Sequence, residues 1–479
     1  MQFFEIVLAS FCLFGILYLL FTRRTQRVWA LMGGLLLLTQ FIWEGIRWQL
    51  APTQGVLIIL MLTHALLLKS RRWIHYLTSC LGILLVAIST WACYALPVFS
   101  LPEPTGPYHV GVYDFAILDS TRNEEITADP DDLRAFTVRA WYPASSEGES
   151  PVPYLDQTTR KGFERKYGLP NGTFGYLDHV HPHSYADAPL AHGAFPIILF
   201  APGLYTPANG YHALVEELTS QGFFVFHINP TYETMASRFA DGREVYFDTE
   251  YANATAWSEA MGQAVNTFEN APSDSVRNAA AMHMTEIYSG SDQVERWAAD
   301  MLTVLHRLEA WNTDPNSPWY RSLQTNHVAM LGHSLGGAAA VEASLYTHQI
   351  QAAINLDGSQ WGNVATHGLQ VPTLFLSSDW LEGHMDVNRY IYSSPHSAPF
   401  YPITLSQTGH SIFSDIPLMI RIPQLNEAGI LAPTAAYKTI NELILAFLKK
   451  HVLKEKDNNL DSLLLSSPYL EHREVYQRD

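Results

Sequence analysis

Cysteine is nearly missing from this chain: 479 residues hold three, Cys12, Cys80 and Cys93. None follows residue 93, so the rest of the sequence offers neither a disulfide framework nor a thiol nucleophile. Basic residues are also scarce, 29 Lys and Arg against 46 Asp and Glu. Beyond residue 100 the balance is 22 basic to 44 acidic, a formal charge of −22. That charge excludes the basic footprint of a nucleic-acid-binding protein and a domain lying flat on an anionic membrane. Acidic residues are missing in turn from the first hundred positions, where only Glu5 and Glu44 occur. No internal repeat is visible.

Four long apolar stretches fill that nearly uncharged region: 3–21, 28–42, 51–68 and 74–98. Each approaches the length that crosses about 30 Å of hydrocarbon as a helix. A cleaved signal peptide accounts for the first stretch but not for the next three. The expectation is an all-α transmembrane domain of four helices over residues 1–99. Arg23, Arg24 and Arg27 lie between the first two stretches, and Lys69, Arg71 and Arg72 between the last two. Loops with this excess of positive charge face the cytoplasm. Everything after residue 100 then lies on the extracytoplasmic side of a plasma or inner membrane. Residues 100–107 read as a Pro-rich linker and 453–479 as a charged, solvated tail.

Between these ends, 108–452 alternates buried-strand and helical patterns, which predicts a doubly wound, mostly parallel α/β sheet. Its sharpest feature is Gly332-His333-Ser334-Leu335-Gly336. The apolar run 328–331 precedes it, and a small-residue run, Gly337 to Ala340, follows. G-x-S-x-G between a strand and a helix is the nucleophile elbow of the α/β-hydrolase fold, which holds a serine hydroxyl up at a tight turn. Residues 231–291 form an insertion placed to cap such a site. Its Phe247, Tyr251, Trp257, Met261, Phe268, Met282 and Met284 suit either an acyl-binding wall or ordinary packing, and packing is the simpler reading.

A serine needs a base, and the base needs an orienting acid. Chain order in this fold is Ser, then Asp or Glu, then His. His410 follows the strand-like Ile403-Thr404-Leu405 and precedes the last helical segment, where the base is delivered. Two acids compete: Asp357 ends the strand pattern 352–356, and Asp379 ends the next one. Spacing leaves them even. The oxyanion hole needs two backbone N–H groups. Leu335 follows the nucleophile, and Leu204 lies in the turn Ala201-Pro202-Gly203-Leu204, where Pro202 has no N–H to give. Asp178, His179, His181 and His183 look like metal ligands, but Pro182 and their even spacing suit an extended loop. No metal or organic cofactor is expected.

Several short motifs, taken in order, resemble the platelet-activating-factor acetylhydrolases, the lipoprotein-associated phospholipase type of α/β-hydrolase. They are Gly-Pro-Tyr-His-Val-Gly at 106–111, Val-Arg-Ala-Trp-Tyr-Pro at 138–143 and Leu-Phe-Ala-Pro-Gly-Leu at 199–204. Leu-Thr-Ser-Gln-Gly-Phe-Phe-Val at 218–225, Gly-His-Ser-Leu-Gly-Gly-Ala at 332–338, Asn-Leu-Asp-Gly at 355–358 and Gly-His-Ser-Ile-Phe-Ser-Asp at 409–415 continue the series. The resemblance implies Ser334 as nucleophile, Asp357 as acid, His410 as base and Leu204 as an oxyanion donor. It also implies a short-acyl or phospholipid-like carboxylic ester as substrate. Two departures loosen the substrate: Ala201-Pro202 stands where the family usually has Ser-His, and four apolar helices are not part of its basic pattern. A general carboxylesterase or polyester hydrolase, and a non-catalytic membrane sensor, are the rival readings.

Overall fold

Alternation of side chains along the apolar strands decides how the layers stack. In Phe195–Ala201, Ile197 and Leu199 face one hydrophobic core while Ile198 and Phe200 face the other. Leu323–His333 repeats this, with Val328 and Met330 on the first side and Ala329 and Leu331 on the second. Strands apolar on both faces require a covering layer on each, the condition for a parallel sheet between helices.

The computed structural model describes residues 2–66, 71–254, 258–379, 386–394 and 396–476. The end of the third apolar stretch, Lys69 and Trp257 lie outside them. The chain divides into two compact units. One comprises 1–100 with 170–181 and 418–426, and the other comprises the remainder.

The helical unit contains α1 (Phe3–Thr22), α2 (Arg27–Glu44), α3 (Ala51–Ala65) and α4 (Arg72–Ala95). Helices therefore form on all four apolar stretches. Among the described residues only α1 and α4 are long and apolar enough to cross a membrane. One polar cluster of the unit is inside: Arg47 pairs with Glu5, lies 3.6 Å from Glu44 and donates to Gln2 Oε1 at 3.0 Å. Around a small core of Leu8, Ile16, Leu57 and Val86, many apolar side chains face outward, among them Phe14, Leu31, Leu35, Trp43, Ile59, Leu84 and Trp91. His64 accepts a hydrogen bond from the Gln26 N–H and stacks on Trp29, which gives it a packing role.

The larger unit is built on one ten-stranded sheet. Its strands, with a small hairpin beside them, are β1 (His109–Asn123), β2 (Leu133–Ala144), β3 (Ser184–Ala186), β4 (Phe195–Ala201), β5 (Phe224–Asn229), β6 (Ala236–Arg238), β7 (Glu244–Tyr246), β8 (Leu323–His333), β9 (Ile350–Leu356), β10 (Thr373–Ser378), β11 (Phe400–Leu405) and β12 (Leu470–His472). The sheet runs β12-β11-β10-β9-β8-β4-β5-β2-β1-β3, with β6 and β7 forming the separate hairpin. All neighbours from β5 through β11 are parallel. The helices that accompany these strands include α5 (Gln157–Lys166), α6 (His212–Ser220), α7 (Thr249–Ala254), α8 (Glu259–Glu269), α9 (Asp274–Ile287), α10 (Gly290–Thr313) and α11 (Leu335–Ala343). Trp297, Met301 and Leu305 of α10 join the small residues of α11 on one face. Leu214, Val215 and Leu218 of α6 cover the other with Ile440, Leu443 and Phe447 of the helix Pro433–His451.

Two parts differ from the sequence reading. Residues 453–476 are not simply a solvated tail: Leu460–Ser466 is helical and β12 pairs with β11, because Leu460 and Leu470 are buried while most charges of the segment point outward. The 100–107 segment is fastened rather than free, with Thr105 bonded to Glu217 and the Gly106 N–H donating to Ser220 Oγ at 3.0 Å. In the insertion the structure follows the packing reading: Met261, Phe268 and Met284 are buried in the core with α10.

A buried charge cluster ties the β1–β2 edge to α10. Arg134 bonds Asp300 at 2.7 Å and Glu124 at 2.9 Å, while Arg296 bonds Glu233 at 2.6 Å. Arg122 also reaches Asp300 at 2.7 Å. Removing one partner of such a set leaves a buried charge uncompensated, which is costlier than the pair is favourable. Asp300→Ala should therefore lower the unfolding free energy in urea by about 3–5 kcal/mol. A loss below about 1 kcal/mol, the level of an exposed pair, would show that the guanidinium groups are solvated after all.

Candidate active site

Ser334 sits between β8 and α11 at φ 55° and ψ −125°, a left-handed conformation forced on a non-glycine residue. Such strain persists only where the surroundings over-determine it. Here the Ser334 N–H donates to Leu356 O at 2.8 Å, at the end of β9. The Gly336 N–H donates to Pro202 O at 3.1 Å, just past β4. A Cβ on Gly336 would lie 2.2 Å from Pro202 O and 2.3 Å from Ala201 O, so only glycine allows this crossing. The serine itself is partly exposed.

Asp357 follows β9, and its carboxylate is buried. Its Oδ2 accepts from His410 Nδ1 at 2.8 Å, while Ser378 donates its N–H at 2.7 Å and its hydroxyl at 2.8 Å. Burial raises the acid's pKa, but the bond and charge of His410, with the Ser378 bonds, bring it below the ordinary carboxylate range. Asp379 does something else: its Oδ2 accepts the Gln407 N–H at 2.9 Å and so pins the turn after β11. Of the two acids, the structure brings Asp357 to the histidine. His410 opens a short 3-10 turn, His410–Phe413, and its side chain is partly exposed.

Leu204 and Leu335 flank the serine from two directions. Leu335 is the first residue of α11, where an N–H has no intrahelical acceptor. No described residue accepts from either the Leu204 or the Leu335 N–H. A Cβ on Gly203, the neighbour of Leu204, would lie 3.4 Å from Ser334 Cβ, so this turn runs against the elbow. Among the described residues no His, Cys, Asp and Glu gather into a metal set, including the stretch 178–183.

Three residues at the site escaped the sequence reading. His333 is fully buried, and burial pushes its pKa down to about 3, with the nearby His410 adding to the shift. It bonds Tyr211 Oη through Nδ1 at 3.0 Å and His410 O through Nε2 at 3.1 Å. Asp415 accepts the N–H groups of His212 and Ala213 at the start of α6, at 2.8 and 3.1 Å, and its own N–H donates to Gly210 O at 2.8 Å. Asp415 stood in a motif already noted, yet nothing in spacing said which helix it caps.

Comparison with known proteins adds similarities to ester hydrolases. The family model "Platelet-activating factor acetylhydrolase, isoform II" matches residues 318–467, the stretch that carries Ser334, Asp357 and His410. The chain resembles the platelet-activating factor acetylhydrolases. It is 22% identical over 292 residues to "Platelet-activating factor acetylhydrolase" of Gallus gallus, covering 56% of this chain and 65% of the relative. It is 24% identical to "Probable 1-alkyl-2-acetylglycerophosphocholine esterase" of Arthroderma benhamiae, covering 57% and 62%. It is 27% identical over 157 residues to "Cutinase est1" of Thermobifida alba, covering 33% and 46%. The chain thus spans less than two thirds of each relative's own length. A ferulic acid esterase from Streptomyces cinnamoneus superposes with a TM-score of 0.59 at 23% identity, over 76% of this chain and 96% of that one. The acetylhydrolase-like unit therefore has the α/β-hydrolase fold.

The Asp415 carboxyl gives a pH test of the site's framing. Burial, the largest influence, raises its pKa to about 6, against the His212 charge and the two backbone bonds. A carboxyl raised in the folded state binds its proton more tightly folded than unfolded. Its contribution is thus present below about pH 4 and is lost as pH rises through 6. The stability difference between wild type and Asp415→Asn should shift against wild type by about 3 kcal/mol between pH 4 and 7. Parallel stability–pH curves would overturn it.

Proposed function

We propose that the chain is a membrane-anchored serine ester hydrolase. The observation that carries the reading is the Asp357–His410 bond, formed across two loops beside a strained elbow serine within the acetylhydrolase-like stretch. Ser334 Oγ attacks the carbonyl carbon of an ester as His410 takes its proton through Nε2. Asp357 holds the Nδ1–H and offsets the imidazolium charge. The Leu204 and Leu335 N–H groups stabilise the tetrahedral oxyanion. As this collapses, His410 returns the proton to the departing alcohol and an acyl-Ser334 ester remains. Water then attacks that ester, with His410 again as base, and releases the carboxylic acid and free Ser334.

The proposed substrate is a short-acyl or phospholipid-like carboxylic ester. Similarity to the acetylhydrolases and to the alkylacetylglycerophosphocholine esterase supports it. Similarity to a cutinase favours a second reading, a general carboxylesterase or polyester hydrolase. On the full chain in detergent, Ser334→Ala should abolish ester turnover and fluorophosphonate labelling. Asp357→Asn should lower kcat about 10³–10⁴-fold, with Asp379→Asn close to wild type. Asp379→Asn as the crippled variant would reassign the acid, and an unlabelled wild type would leave a non-catalytic membrane sensor. Indifference to the alcohol, across esters of rising acyl length, would favour the carboxylesterase.

Anchoring rests on α1 and α4, which have membrane-crossing length and hydropathy, and on the outward-facing apolar side chains of residues 3–94. The Lys and Arg pattern of the short loops supports an extracytoplasmic catalytic unit. In a cell that expresses it, the protein should stay in membranes through carbonate extraction, with residues 108–452 cleaved by protease added outside. Release by carbonate would overturn the anchor, and cleavage only after permeabilisation would reverse its orientation.

A further inference from the structure

The Leu204 N–H does oxyanion work only if its turn is held in one orientation, and the turn has no secondary structure to hold it. Residues 202–204 lie between the end of β4 and a short 3-10 turn, Ala208–Gly210. The Gly336 and Thr206 N–H groups hold the turn's carbonyls, donating to Pro202 O at 3.1 Å and Gly203 O at 2.9 Å, and its donor side is held by Tyr211. This side chain is fully buried, and its Oη accepts the Gly203 N–H at 2.8 Å. The neighbouring donor is therefore already engaged, which leaves Leu204 as the N–H of this turn with no described acceptor.

Proton bookkeeping gives the chain of bonds a direction. His333 is buried and neutral, so one ring nitrogen donates and the other accepts. Its Nε2 lies 3.1 Å from His410 O, a carbonyl that only accepts, so the Nε2 carries the hydrogen. Nδ1 then accepts, and the group 3.0 Å away is the Tyr211 hydroxyl, which donates. With its hydrogen given to His333, Tyr211 Oη accepts from Gly203. The sequence Gly203 N–H to Tyr211 O–H to His333, then His333 Nε2–H to His410 C=O, is satisfied at every step. It joins the oxyanion turn, the residue before the nucleophile and the backbone of the base.

We propose that Tyr211 is a positioning residue for ester hydrolysis: it aims the Leu204 N–H at the oxyanion and, through His333, locks that turn to the His410 loop. The inference rests on the hydrolase reading. Tyr211 touches no reacting atom, and it acts on the geometry of groups that do. Errors near 1 Å in such groups cost rates by orders of magnitude.

The test uses the full chain in detergent with p-nitrophenyl acetate and its thionoester analogue, active sites being counted by fluorophosphonate titration. Tyr211→Phe should lower kcat per titrated site about 10- to 100-fold with little change in KM. The ester-to-thionoester rate ratio should fall as well, because a C=S group depends less on the hole. A mere loss of folded protein would reduce titratable sites and leave both kcat per site and that ratio alone, and this result overturns the proposal. His333→Gln keeps a donor toward His410 O but takes the acceptor off the Nδ1 position that Tyr211 uses, so it reads the same relay if Tyr211→Phe does not fold. The double variant should be no worse than the more impaired single variant. Additive losses would show that the two residues do not act through one chain. A wild type without turnover or labelling fails the hydrolase reading and takes this inference with it. An active wild type matched by Tyr211→Phe fails this inference alone.

Discussion

The site depends on one constraint, the stitching of a strained elbow to the strands on either side of it. A positive φ at Ser334 is unfavourable by itself. It is held because its N–H reaches Leu356 O on one neighbour and the Gly336 N–H reaches Pro202 O on the other. Asp357 is the next residue after Leu356, and Leu204 is two beyond Pro202. The bonds that fix the proposed nucleophile therefore also fix the acid and the oxyanion turn. This follows from the strand order β9-β8-β4, all parallel, which sets three loops side by side at their carboxyl ends.

Much of this was legible in the sequence because the features are local. An apolar run, two glycines and small residues encode strand, tight turn and close-packed helix within a dozen positions around Ser334. The Ala201-to-Leu204 turn and the loop of His410 are equally short-range. The choice of acid was not legible by spacing, since Asp357 and Asp379 each end a strand. What separates them is Ser378, which gives Asp357 two hydrogen bonds from the next strand, and the Gln407 N–H, which occupies Asp379. Those partners depend on strand register and loop path, which neighbouring letters do not state. The C-terminal segment misled for a related reason: its charges dominate composition, while the buried Leu460 and Leu470 decide its structure.

The same division runs through the helical unit. Its four apolar stretches announce helices by length alone. Nothing in their composition announces that Glu5, Glu44 and Arg47 gather within one buried set. Arg47 is fully enclosed, and a lone guanidinium there would be strongly unfavourable. The two acids left in an otherwise nearly uncharged region are thus the ones that face this arginine, so their presence is explained by pairing rather than by surface solubility.

Two buried carboxylates show how one loop can be held from both ends. Asp357 and Asp415 both meet the 409–415 loop, and both are removed from water. Asp357 faces an imidazole and two Ser378 donors, which outweigh burial and keep it ionised. That state suits the role proposed for Asp357, in which it offsets imidazolium charge on His410. Asp415 faces two backbone N–H groups at the start of α6, and these do not outweigh burial, so its carboxyl is raised to about 6. Its work is done by geometry rather than charge: one residue joins Gly210, the α6 end and the histidine loop. The contrast explains how two acids, Asp357 from the end of β9 and Asp415 five residues after His410, can meet one loop. They are driven in opposite directions by their partners, and only one of them is poised to answer a proton moving through His410.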